Sequence, residues 1–136
     1  GYTQTTGSDL TLKTIPVFGG VLGANGQATC DITFLYPNSA GAKTVKGKFG
    51  TVTYFQGAPT TTVVQRVLGG FKNSNSESSQ EGIQFLSSAG GTGTGTTLPP
   101  TGTDNTATDL NLLVTGQLAT ATDYVIVSRF LMRLIR

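Results

Sequence analysis

The chain has 136 residues and a formal net charge of +2, with 12% of residues charged, 19 Gly, 1 Cys, 0 His and 0 Trp. Without histidine there is no Ser-His-Asp or Cys-His nucleophile pair, no imidazole base and no His-rich zinc site; with Cys30 alone there is no intrachain disulfide and no Cys-x-x-Cys motif. The length predicts one domain around one core, and nine Lys and Arg against seven Asp and Glu is too weak a balance to point to nucleic acid.

Threonine (24) and glycine together make up nearly a third of the chain, which favours many short strands over helices. Residues 1–9 show no hydrophobic period through Ser8 and read as a flexible N-terminal arm or a connection to something upstream; residues 10–136 read as a single domain. Its first strand begins at Leu10-Thr11-Leu12-Lys13, and Pro16 marks an edge position or a strand end because proline donates nothing to a ladder. The Asn25-Gly26 turn then feeds a long alternating run from Gln27 to Tyr36, in which Cys30 shares a face with Ala28, Ile32 and Phe34 and reads as a small buried hydrophobe. In the next strand, Lys43 to Phe49, the residues Val45, Gly47 and Phe49 face one way while Lys46 and Lys48 face solvent. Strands over Thr51–Gln56 and Thr60–Leu68 follow, separated by Gly57-Ala58-Pro59.

Phe71 to Gln80 is almost wholly polar and reads as a connection, and Ile83–Leu86 as a short strand. The Gly/Thr/Pro-rich segment near 89–108 has nothing to bury and reads as a long surface loop. Leu110–Leu118 and Tyr124–Ile135 close the chain. About eight evenly spaced strands with no amphipathic helix predict an all-β fold, an antiparallel β-sandwich or jelly roll. No apolar run approaches the roughly 18 residues of a membrane span, so no membrane insertion is expected.

The last strand carries hydrophobic residues on both faces. Tyr124, Ile126, Phe130, Met132 and Leu134 are assigned to the core; Val125, Val127, Arg129, Leu131, Arg133 and Ile135 are assigned to an oligomer interface, since an antiparallel strand with one wet side alternates more cleanly. Arg129 and Arg133 are expected to pair across subunits with carboxylates such as Asp31 or Asp109.

Chemical motifs are scarce. Gly91-Thr92-Gly93-Thr94-Gly95 lacks the lysine, strand and helix that a phosphate loop needs. Asp9, Asp31, Glu77, Glu81, Asp104, Asp109 and Asp123 lie mostly in loops or at strand ends, where turn formation explains them. No catalytic, metal or cofactor residue is therefore assigned. A candidate ligand loop consists of Phe71, Asn73, Asn75, Glu77, Gln80 and Glu81, because amides and carboxylates suit polyhydroxylated ligands; Tyr36, Tyr54 or Phe71 would supply the stacking platform.

The run Asn38-Ser39-Ala40-Gly41-Ala42-Lys43-Thr44-Val45-Lys46-Gly47-Lys48-Phe49-Gly50, preceded by Ile15-Pro16 and Gly23-Ala24-Asn25-Gly26, resembles a family of small β-sandwich domains of tailed-bacteriophage virions. The closing Asp109-Leu110-Asn111-Leu112-Leu113-Val114-Thr115-Gly116-Gln117-Leu118-Ala119 and Asp123-Tyr124-Val125-Ile126-Val127 are similar as well. The likeness spans about residues 15 to 135. Its motifs are structural, and the segment from Gly90 to Gly102 is longer and richer in proline than the family pattern. Such domains occur in capsid decoration proteins, head fibres, tail fibres and spike tips. The resemblance implies a non-enzymatic structural protein at the virion surface, made in the host cytoplasm. It further implies a homotrimer whose partners are other phage capsid or tail proteins, with residues 1–9 as the attachment segment. The alternative is a receptor-binding domain for host surface polysaccharide.

Overall fold

The computed structural model describes residues 2–3, 8–87 and 100–136. They form ten strands and no helix: β1 (Tyr2–Thr3), β2 (Leu10–Val17), β3 (Gln27–Leu35), β4 (Lys43–Phe49), β5 (Val52–Gly57), β6 (Val64–Asn73), β7 (Gln80–Ser87), β8 (Thr101–Gly102), β9 (Leu110–Leu118) and β10 (Val125–Ile135). Two antiparallel sheets pack as a sandwich, ordered β1-β10-β3-β6-β7-β8 in sheet A and β2-β9-β4-β5 in sheet B. The fold class is the one the strand spacing predicts.

The order has a simple origin. β1 pairs with β10, β2 with β9, β3 with β6 and β4 with β5, so these eight strands are one long two-stranded hairpin. Rolling it up adds the pairs β10 with β3 and β9 with β4, which is the jelly-roll interleaving of two sheets. β7 and β8 lie outside this scheme, appended to the free edge of β6. β2 is an edge strand, as Pro16 requires.

The core follows from alternation. Ala28, Cys30, Ile32 and Phe34 of β3 point inward and are buried, as are Val45 and Phe49 of β4 and Leu112 and Val114 of β9. Phe71 from sheet A meets Phe49 and Tyr54 from sheet B, with ring centroids 4.2 and 5.0 Å apart. Gly47 is required on its inward position because the Phe55 ring occupies the space a side chain would fill. A bulge in β5 leaves Tyr54 as the extra residue between the pairs Gly47–Phe55 and Lys48–Thr53, so consecutive residues Tyr54 and Phe55 both reach the interior.

Three boundaries differ from expectation. The arm predicted over residues 1–9 includes a strand, Tyr2–Thr3, hydrogen-bonded to β10, and an anchored residue, Asp9, whose carboxylate meets Lys48 at 2.9 Å and Lys46 at 3.0 Å. Strand β6 continues to Asn73, three residues into the predicted polar connection, because Gly70 and Phe71 pair with Thr29 and Ala28 of β3. Of the predicted loop near 89–108, residues 89–99 lie outside the described residues, while Thr101–Gly102 form β8 and Thr106 is buried.

Candidate functional site

The candidate interface on β10 is divided by a bulge. Val127 pairs with Phe34 and Arg129 with Thr33, leaving Ser128 as the extra residue. Before the bulge, Val125 is fully buried and Val127 packs on the core, so these two residues do not belong to an outward face. Ile126, assigned to the core, instead points outward beside Leu35. After the bulge Phe130 and Met132 pack on the core, as alternation predicts, and Arg129, Leu131, Arg133 and Ile135 face out. Leu134 points inward opposite Ala28 but remains exposed at the end of the sandwich.

The outer face of sheet A is therefore built of rows across β10, β3 and β6: Ile126–Leu35–Val64, Arg129–Thr33–Arg66 and Leu131–Asp31–Leu68. Asp31 lies at its centre. The Arg66 guanidinium donates from Nε and Nη2 to its two oxygens at 2.8 and 2.6 Å, and Arg129 donates from Nη1 at 3.1 Å. These bonds, that from Arg66 foremost, hold the Asp31 carboxyl below its usual range. Arg129 is thus paired within its own subunit, contrary to the expected cross-subunit pair, and Asp109 accepts a hydrogen bond from the Gly19 backbone N–H at 2.8 Å. Around this triad, Val64 is 53% exposed, Ile135 48% and Leu131 36%.

The candidate ligand loop is not assembled. Phe71 is enclosed in the core, and the other proposed platforms, Tyr36 and Tyr54, are buried too. Asn73 and Gln80 are interior residues that fasten loops together. Asn73 Nδ2 donates to Gly23 O at 2.7 Å and Thr106 Oγ1 at 2.8 Å, and Gln80 Nε2 donates to Asn73 Oδ1 and Glu77 O, both at 3.1 Å. Asn75 occupies the left-handed region at φ 59° in the β6–β7 turn. Glu77 serves through its carbonyl, which also accepts from Thr106, and Glu81 pairs with Lys72 at 3.1 Å. Among the described residues no group of three or more His, Cys, Asp or Glu is placed to hold a metal ion.

Lys43 and Thr106 are interior polar residues outside the sequence expectations. Lys43 is 1% exposed and faces Asp123, itself 3% exposed. The signal was available: Lys43 is in phase with Val45, Gly47 and Phe49, so alternation places it inside. Thr106 carried no comparable signal.

Comparison with protein-family models, curated protein sequences and solved structures gives no match.

Proposed function

We propose that the chain is a non-enzymatic structural component of a bacteriophage virion, a capsid decoration or appendage protein that assembles as a homotrimer. The observation that carries this reading is the outer face of sheet A. A solvated antiparallel face is expected to be polar, yet this one presents Val64, Leu131 and Ile135 on the same face as a cluster in which Arg66 and Arg129 share the Asp31 carboxylate within the subunit. A second copy covering it would bury aliphatic groups, each worth about 1.5–3 kcal/mol when fully buried, while the two half-exposed arginines carry one positive charge more than Asp31 balances and call for an acceptor from the partner. The jelly-roll order is compatible with this setting, since capsid domains are among its users, and the family likeness of the sequence supports it; fold alone does not specify it.

Light scattering on the purified protein at micromolar concentration tests the assembly, and a purely monomeric mass would sink it. Val64→Asp is the informative variant: it is expected to yield a folded monomer. Leu131→Asp is less suitable, because position 131 lies directly opposite Asp31 and a second carboxylate there perturbs the sheet itself. Binding of the labelled protein to capsids or fibres that lack it tests the setting.

A further inference from the structure

Sheet A ends at β1 with β10 on one side and at β8 on the other, and sheet B ends at β2 and β5. An exposed edge invites a further strand, and three of these four carry a device against it. Pro16 has no N–H to offer along β2, whose pairing is also interrupted by a bulge at Leu12. β5 has six residues and its own bulge at Tyr54, and β8 has two residues. The β10 edge is different. β1 covers it only opposite Val125 and Ile126, and among the described residues no other backbone bonds the side of β10 that faces away from β3. From Arg129 to Ile135 the ladder is open, with no proline or glycine in it and the bulge at Ser128 behind it. Alternate residues of such a stretch aim both N–H and C=O outward in the plane of the sheet.

The side chains define what fits. Phe130 and Met132 point toward the core but are only partly buried, and Leu134, also inward, is 44% exposed. An added strand with aliphatic residues beside these three would extend the interior. On the other face Arg129 and Arg133 project from the same edge. Arg129 shares Asp31 with Arg66, and Arg133, opposite Thr29, has no ion pair among the described residues. The Lys13 ammonium of β2, 5.4 Å from the centre of the Phe130 ring, adds further positive charge. This edge therefore carries more positive charge than Asp31 balances. The β10 strand of a second copy laid along it would set arginines beside arginines, and like charges on neighbouring strands destabilise. A segment with carboxylates in those places reverses the sign.

We propose that the open edge of β10 takes up an extended segment of another protein, antiparallel to Arg129–Ile135 and in line with β1. Its acidic residues lie opposite Arg129 and Arg133, and its aliphatic residues lie opposite Phe130, Met132 and Leu134. Backbone bonds to the ladder hold the segment, and its alternate side chains select it. The inference goes beyond the virion reading, which uses the face of sheet A and not its edge. The two fail separately: light scattering reports assembly on the face, and the amides of β10 report the edge.

The test is a ¹H–¹⁵N titration, with amide exchange, of the full chain against the capped peptide Thr-Val-Glu-Val-Thr-Val-Glu-Thr and its counterpart with Lys in place of both Glu. The expected result with the acidic peptide is a set of shifts and slowed exchange at alternate amides between Arg129 and Ile135. Affinity for the lysine peptide is expected to be about tenfold lower. Arg133→Glu changes an exposed side chain without an ion pair in the protomer, so it is expected to fold and to abolish that preference. No response at these amides, or equal binding of the two peptides by the wild-type chain, overturns the proposal. Slowed exchange over Arg129–Ile135 that needs no peptide and grows with protein concentration also overturns it, and gives the edge to a second copy.

Discussion

Lys43 places a full positive charge in an inward row otherwise made of Val45, Gly47 and Phe49. Its ammonium group is tolerated because it is surrounded by acceptors: Thr60 O at 2.7 Å, Gly41 O at 2.8 Å and Ser39 Oγ at 3.0 Å, with Asp123 Oδ2 at 3.6 Å. These belong to three separate loops, so one side chain ties the β3–β4, β5–β6 and β9–β10 connections at one end of the sandwich. Lys43→Met would leave Asp123 buried without its counter-charge, a change expected to cost about 3–5 kcal/mol in urea denaturation. Adding Asp123→Asn to that variant is expected to recover part of the loss. A cost below about 1 kcal/mol for the single variant would show that the pair is incidental. Cys30 is the contrasting interior residue: burial pushes its thiol up to about 12, so the thiolate needed for reaction is not populated at neutral pH.

At the level of strands, alternation identified the inward faces of β3 and β4 correctly, because these strands run without an irregularity that changes their own phase. It failed on β10, where Ser128 shifts the phase by one residue. A single extra residue exchanges the two faces of everything beyond it, and nothing in a Val-Ser-Arg sequence announces the shift. The consequence is testable by deletion. Removing Ser128 joins two stretches that are already in phase, Val127 inward and Arg129 outward, so this variant is expected to fold with its thermal midpoint within a few degrees of wild type. Removing Leu131 instead turns Met132 outward and Arg133 inward, and is expected to abolish cooperative unfolding. If both deletions melt alike, the assignment of the bulge is wrong. The polar segment after Phe71 misled for a different reason: Asn73 and Gln80 look like loop residues, and only their contact with each other and with Thr106 makes them interior.

For the whole molecule, the class of fold was legible from strand spacing, while the pairing of strands was not. Contacts such as Thr3 with Val125 join segments that carry no local mark of each other. The same long-range contacts set the pH response. Asp9, held low chiefly by its hydrogen bond from Lys48, and Asp31, held low chiefly by Arg66, both have folded values below their unfolded ones. Their contribution is therefore present above the unfolded carboxylate value of about 3.9 and is lost as pH falls through the folded values. With 0 His in the chain, no imidazole titrates in between, so the urea midpoint is expected to stay level between about pH 8 and 5 and to fall in acid. Asp31→Asn is expected to flatten that acid limb. A decline beginning near pH 6 would point to a group other than these two aspartates.

The rolled hairpin closes without β7 and β8, since all four of its nested pairs are made by other strands. The appended strands can therefore be exchanged or rewritten while the nested scaffold keeps its pairing. A change in the length of β7 or β8 is thus expected to leave the eight nested strands in register, with the cost falling on the contacts that Asn73, Gln80 and Thr106 make there.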